Sequence, residues 1–210
     1  MTGKHNPYLP ELATVIKVID ETPNIKSFQV VFNDAEKMKN FTFEPGQVGQ
    51  LSVFGVGEST FVINSPPTRM DYLQFSVMKA GEVTTALHGI YEGDIIGVRA
   101  PLGNWFPYDF MKGKNILFIG GGIGLAPLRT LILYMLDNRA DYKDITIIYG
   151  SRTPPDLCYK DELKEWEERS DVNLILTVDN EFPGWDKRTG FVPTVLREEA
   201  PKPDNTIAIT

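Results

Sequence analysis

Four glycines, Gly120, Gly121, Gly122 and Gly124, lie in the stretch FIGGGIGLAP (118–127), with apolar residues before and after them. Glycine lets a backbone come close to a pyrophosphate, and a helix that begins just afterwards adds free N–H groups and positive potential. Phosphate binding is the chemistry that this spacing can support. A second stretch of the same kind is AGEVTTAL (80–87), where Gly81 precedes the hydroxyls of Thr84 and Thr85 at a helix start. It reads either as a second phosphate cradle or as a capped connector.

Two better-known phosphate loops do not fit. A P-loop needs Gly-Lys-Ser/Thr at the helix start, and the first stretch has no lysine. The Gly-x-Gly-x-x-Gly dinucleotide fingerprint would run from Gly122 through Gly124, but Pro127 occupies the third glycine position. That fingerprint also expects an acid at the end of the second strand, where this chain has Tyr149-Gly150-Ser151-Arg152. The loop is therefore a phosphate binder of another type, or only a turn.

Other chemistries have little to build on. Cys158 is the one cysteine, which excludes a disulfide within the chain and an all-cysteine zinc or iron–sulfur site. It reads as a packed or incidental thiol. His5 and His88 are too far apart in sequence to suggest a metal site. No catalytic triad or carboxylate pair stands out.

The elements that must position these loops fall into two kinds. Six candidate strands occupy 13–19, 25–32, 49–54, 60–65, 72–78 and 94–99, separated by Pro, Gly and Asn turns, with one helix over 81–90. That pattern predicts a small antiparallel β-barrel. The second half alternates: strand 115–120, helix 126–139, strand 144–150, helix 160–169, strand 172–178, helix 192–199 and strand 206–210. Alternation predicts an α/β unit with a parallel sheet. The boundary falls in 106–114, giving units 1–110 and 111–210.

Composition narrows the function classes. The 210 residues are 42% hydrophobic with a net charge of −7 and no long basic run, which argues against a nucleic-acid partner. Residues 116–136 hold a single charge, Arg129, over about the length of a spanning helix. The adjacent glycines and Pro127 divide that run, and Leu128, Leu131, Ile132, Met135 and Leu136 recur on one helical side. The expectation is a buried helix and no membrane insertion. The N-terminus lacks the apolar segment of a signal peptide, and the single cysteine suits a reducing cytoplasm.

Taken in order, six segments resemble the ferredoxin–NADP reductase superfamily: FEPGQ (43–47), STFVINSPP (59–67), AGEVTTAL (80–87), GDIIGVRAPLGNWF (93–106), GGGIGLAP (120–127) and YGSRTPPDLCYKDEL (149–163). The narrower resemblance is to reductase-like electron-transfer subunits: hydrogenase gamma subunits, the B subunit of anaerobic sulfite reductase, and the electron-transfer subunit of dihydroorotate dehydrogenase. The resemblance implies a flavin-binding antiparallel barrel followed by a nicotinamide-binding α/β domain. It implies FAD and NAD(P) as cofactors, hydride transfer between them, and single electrons passed to or from an iron–sulfur protein or partner subunit. The alternative is a non-catalytic nucleotide-binding regulatory or scaffold module of the same fold.

The resemblance also implies residue roles. Phe61, Val62, Ile63, Asn64 and Ser65 would line the flavin ring. Gly81, Val83, Thr84 and Thr85 would hold its phosphates. Gly121, Gly122, Gly124 and Pro127 would shape the nicotinamide-phosphate loop, with Ser151 and Arg152 at the adenosine end and Asp179 and Trp185 nearby. NAD and NADP both remain open. The chain departs from the family pattern in the flavin motif: Ser59, Phe61 and Val62 replace an arginine, a tyrosine and a hydroxyl residue. The sequence ends at Thr210, where the family continues Cys-Gly-Pro-Pro-x-Met. The expectation is a piece of a longer protein, with any [2Fe-2S] cysteine cluster beyond this chain.

Overall fold

The computed structural model describes Asn6 and residues 8–210; His5 lies outside them. Strands β1 (Glu11–Thr22), β2 (Ile25–Phe32), β3 (Val48–Val53), β4 (Gly57–Val62), β5 (Leu73–Met78) and β6 (Ile95–Leu102) form one antiparallel sheet in the order β4-β3-β6-β1-β2-β5. Alternation fixes its two faces. Phe28, Val30 and Phe32 of β2 and Leu73, Phe75 and Val77 of β5 turn inward to one core, with Leu51, Ile96 and Val98. Ile25, Ser27 and Gln29 of β2, and Gln74, Ser76 and Met78 of β5, have the opposite parity. The curled sheet closes where the chain leaves β4: Asn64 N donates to Gln74 O at 2.9 Å.

Two short helices accompany this sheet, α1 (Ala35–Asn40) and α2 (Glu82–His88). The sequence reading omitted α1. Asp34 caps it, its carboxylate accepting from Lys37 N at 3.1 Å. The fourth strand was expected over 60–65 but runs Gly57–Val62: Ile63 N still bonds Gln47 O in register at 3.0 Å, and Asn64 N then turns away to Gln74 O at 2.9 Å.

The second half forms a parallel sheet of β7 (Asn115–Gly121), β8 (Ile145–Ser151), β9 (Asn173–Val178), β10 (Arg188–Thr189) and β11 (Thr206–Ile209), in the order β10-β9-β8-β7-β11. The helices are α3 (Leu125–Asp137), α4 (Lys160–Glu168) and α5 (Val192–Glu199). α3 and α4 cover one face through Leu128, Leu131, Leu163 and Trp166, packed with Phe118 and Ile147. α5 covers the other through Val195, against Leu117 and Ile148. Both faces are buried, as parallel strands require. The two-residue β10 lies between the expected strand 172–178 and helix 192–199, where no element was expected.

Ile25 of β2 joins the core of this second unit. The outer face of the β1–β2–β5 region is therefore the seat of the parallel-sheet unit. Among the described residues, no helix is long and apolar enough to cross a membrane.

Candidate dinucleotide and flavin site

The glycine cluster sits where β7 meets α3, at the carboxyl ends of the parallel strands. Strand order reverses there, with β8 on one side of β7 and β11 on the other. Open α/β sheets bind ligands at such a switch point. Gly122 opens a single 3-10 turn (Gly122–Gly124) with φ +51°, a left-handed conformation that suits glycine. No atom lies within 4 Å of where a side chain would stand on Gly122 or Gly124, and Gly121 is nearly as open. Gly120 is different: an added Cβ would come 3.3 Å from Leu128 Cδ1, so this glycine serves packing.

Tyr149 of β8 sets the loop. Its hydroxyl donates to Gly122 O at 2.9 Å and accepts from Cys158 N at 3.0 Å. Burial pushes its pKa up, which keeps that donor proton in place. The sequence places the start of α3 at residue 126, which makes Pro127 its second residue. It is the third, since α3 begins at Leu125, but a first-turn residue has no intrahelical acceptor to lose.

The loop opens on a cleft of about 420 Å³. Gly121 and Gly122 wall one side, with Ser151 at the end of β8, Arg152 just after it and Asp179 after β9. The opposite wall comes from the antiparallel unit: Thr22, Asn24 and Ile25 of the β1–β2 hairpin, and Met78 at the end of β5. Four of the six residues expected at the nicotinamide side thus line one cleft, while Gly124 and Pro127 stand behind it in the helix start. Ser151 is tied down, donating to Thr153 O at 2.7 Å. Trp185 lies apart, in a hollow with Phe182 and Thr189.

The residues expected at the flavin divide. Phe61 and Val62 are half-buried on β4, an end strand of the sheet. Phe61 is opposite Gly49, and Ser59 is opposite Leu51 of the core, so Ser59 and Phe61 share the inward-turning side at the open edge. α2 closes that edge: a Cβ on Gly57 would come 3.3 Å from Val83 Cγ2. Ile63, Asn64 and Ser65 are buried. The Ile63 side chain belongs to the barrel core. Asn64 and Ser65 belong to the seam between the units, where Asn64 N donates to Gln74 O and both carbonyls accept from α3, so of the five expected residues Phe61 and Val62 are the accessible ones.

At the head of α2, Thr84 Oγ1 accepts from Ala80 N (2.9 Å) and Gly81 N (2.7 Å) and donates to Gly81 O (3.0 Å). Its hydroxyl is spent on the cap, whereas Thr85 is exposed and Gly81 has open space around it. The residues present can take an aromatic ring against Phe61 and phosphates against the Gly81 backbone. They offer no arginine at position 59. Arg99 pairs with Glu58 through Nη2 at 3.0 Å, while its buried Nε has no partner among the described residues.

A network that the sequence reading did not find holds the seam. Arg129 of α3, 4% exposed, pairs with Glu162 of α4 and donates to Asn64 O at 2.5 Å. Burial pulls the Arg129 pKa down, but hydrogen bonding and charge from Glu162 outweigh it and hold it above the usual value. Thr130 Oγ1 donates to Ser65 O at 2.9 Å. Tyr159 OH donates to Ser76 Oγ at 2.8 Å, and its backbone N donates to Glu21 at 2.8 Å. The one signal in the sequence was Arg129 itself, a lone charge in an apolar helix.

A family model described as "oxidoreductase NAD-binding domain" matches residues 118–210. The chain is 38% identical over 209 residues to sulfhydrogenase 1 subunit gamma of Pyrococcus furiosus, covering 98% of this chain and 71% of that relative. It is 33% identical over 190 residues to a probable dihydroorotate dehydrogenase B (NAD(+)), electron transfer subunit, of Methanocaldococcus jannaschii, covering 90% and 65%. Among solved structures, it aligns with a ferredoxin NADP+ reductase from Neisseria gonorrhoeae with bound FAD and NADP at a TM-score of 0.76, with 18% identity, over 94% of this chain and 82% of that one.

Proposed function

This chain belongs to the reductase-like electron-transfer subunits of the ferredoxin–NADP reductase superfamily, and on that premise we propose that it is a flavoprotein moving a hydride between NAD(P)H and FAD and single electrons to or from an iron–sulfur partner. Residues 1–110 are the FAD-binding domain and 111–210 the NAD(P)-binding domain. The observation that carries the reading is the open glycine loop at the β7–α3 switch point, facing the barrel hairpin across one cleft.

In this reading Gly121 and Gly122 approach the dinucleotide phosphates, and Ser151, Arg152 and Asp179 face the adenosine end. Phe61 stacks on the flavin ring, and the Gly81 backbone with Thr85 holds flavin phosphates. When bound, the two cofactors supply the redox chemistry. The protein contributes proximity: Arg129 and Thr130 fix the β4 exit against the helix that follows the glycine loop.

The test is reconstitution of the purified chain with FAD, followed by anaerobic addition of NADH or NADPH. A yellow protein bleached by either nucleotide supports the reading. A chain that stays colourless after refolding with FAD overturns it. The replacement of the motif's arginine by Ser59 and of its hydroxyl by Val62 favours a second reading, a nucleotide-binding module without turnover. That module would bind nucleotide with no flavin bleaching.

A further inference from the structure

We propose that a hollow of about 340 Å³ at the seam between the two units is a second small-molecule site, built for an uncharged planar carboxamide or lactam. Gln29, Tyr72 and Gln74 line it from the antiparallel unit, and Arg129, Tyr159 and Glu162 from the parallel one. It shares no lining residue with the dinucleotide cleft. Its size falls at the small end of the range for ligand pockets.

The argument rests on two glutamines. Gln29 of β2 and Gln74 of β5 are direct cross-strand partners on the outer face of the sheet. Gln29 Nε2 donates to Gln74 Oε1 at 3.0 Å. Facing carboxamides can exchange two hydrogen bonds, and this pair makes one. Gln74 is 2% exposed, and its Nε2 has no hydrogen-bond partner among the described residues. Gln29 Oε1 is likewise uncommitted. An uncommitted donor on one strand and an uncommitted acceptor on its cross-strand partner are the complement of a C(=O)–NH edge.

Charge selects against anions. Arg129, the buried cation on the wall, is committed to Glu162 and Asn64 O. Lys160 donates to the carbonyls of Glu21, Pro155 and Leu157. Asp20 and Asp161 line the same hollow and would repel a carboxylate. Ile19 and Tyr72 offer apolar surface to a flat ring.

The test is titration of the full chain with benzamide, followed by ¹H–¹⁵N spectra of the glutamine side-chain amides. Benzamide should shift the Gln29 and Gln74 signals saturably, with a Kd on the order of 1 mM. Benzoate, which lacks the donor, should not shift them. Gln74→Met should abolish the saturable shift. Gln29→Met, at a half-buried position that a folded chain tolerates, should weaken binding about tenfold. Saturating NAD⁺ should leave the benzamide shift in place. Equal response to benzamide and benzoate, no saturable response in the wild-type chain, unchanged binding in the folded Gln29→Met variant, or displacement by NAD⁺ would each overturn the proposal. None of these outcomes depends on flavin binding or nicotinamide oxidation.

Discussion

Arg129 Nη1 lies 2.5 Å from the backbone oxygen of Asn64, so the helix after the glycine loop holds the chain that leaves β4. Because the guanidinium is buried and also carries the Glu162 pair, removing it strips a partner from both. Arg129→Met should cost about 3 kcal/mol of stability, the usual loss when one member of a buried pair is deleted. Arg129→Lys should recover part of that loss, since it keeps the charge but not the forked geometry. Urea denaturation of the three proteins measures both.

Ser59 stands on β4 two residues before Phe61, facing the edge that α2 closes. An arginine there could make charge-assisted hydrogen bonds to a flavin pyrophosphate. Ser59→Arg should tighten FAD binding about tenfold, read by quenching of flavin fluorescence. Unchanged affinity would place the flavin phosphates elsewhere.

Arg152, Asp156 and Asp179 line the proposed dinucleotide cleft together. Two carboxylates against one guanidinium in that lining disfavour a 2′-phosphate dianion, so NADH should be preferred to NADPH. Asp179→Asn should raise the NADPH:NADH ratio of kcat/KM about tenfold, by removing a like-charge repulsion. Steady-state kinetics with both nucleotides tests this.

Burial pushes the Cys158 thiol from its ordinary 9.0 up to about 11. Between those values the unfolded chain has released a proton that the folded chain retains. The contribution is therefore full below pH 9 and is lost as pH rises through the folded value. Burial pushes the Tyr149 and Tyr159 phenols upward as well, so their contributions fade in the same direction. Stability should decline from pH 9 to 11, and Cys158→Ala should flatten that decline by about 2 kcal/mol. Denaturation midpoints across that range give the comparison. The thiol should also resist alkylation until the chain unfolds.

Much of the architecture was legible from periodicity and turn chemistry. The α/β alternation located β7, β8, β9 and β11 and their helices to within one or two residues. The glycine loop was recognisable because a strand, a run without side chains and a helix start form a local signal. Pro127 separates it from the Gly-x-Gly-x-x-Gly fingerprint, and the lack of a lysine separates it from the P-loop. Local signals also explain the omission of α1, six residues long and held by one aspartate cap.

The seam could not be read in this way. Its bonds join Arg129 to Asn64, Thr130 to Ser65 and Tyr159 to Glu21, residues far apart in the chain with no periodic relation. Which side of β4 holds Phe61, and whether Ile63 faces a ligand or the core, depend on strand register and on where the ladder ends. A one-residue difference there exchanges the two faces. By itself, the sequence determined the two kinds of sheet and the loop able to meet phosphate. Only the tertiary structure decided that the hairpin of one sheet walls the cleft of the other, because that contact forms when the outer face of β2 and β5 is buried against α3 and α4.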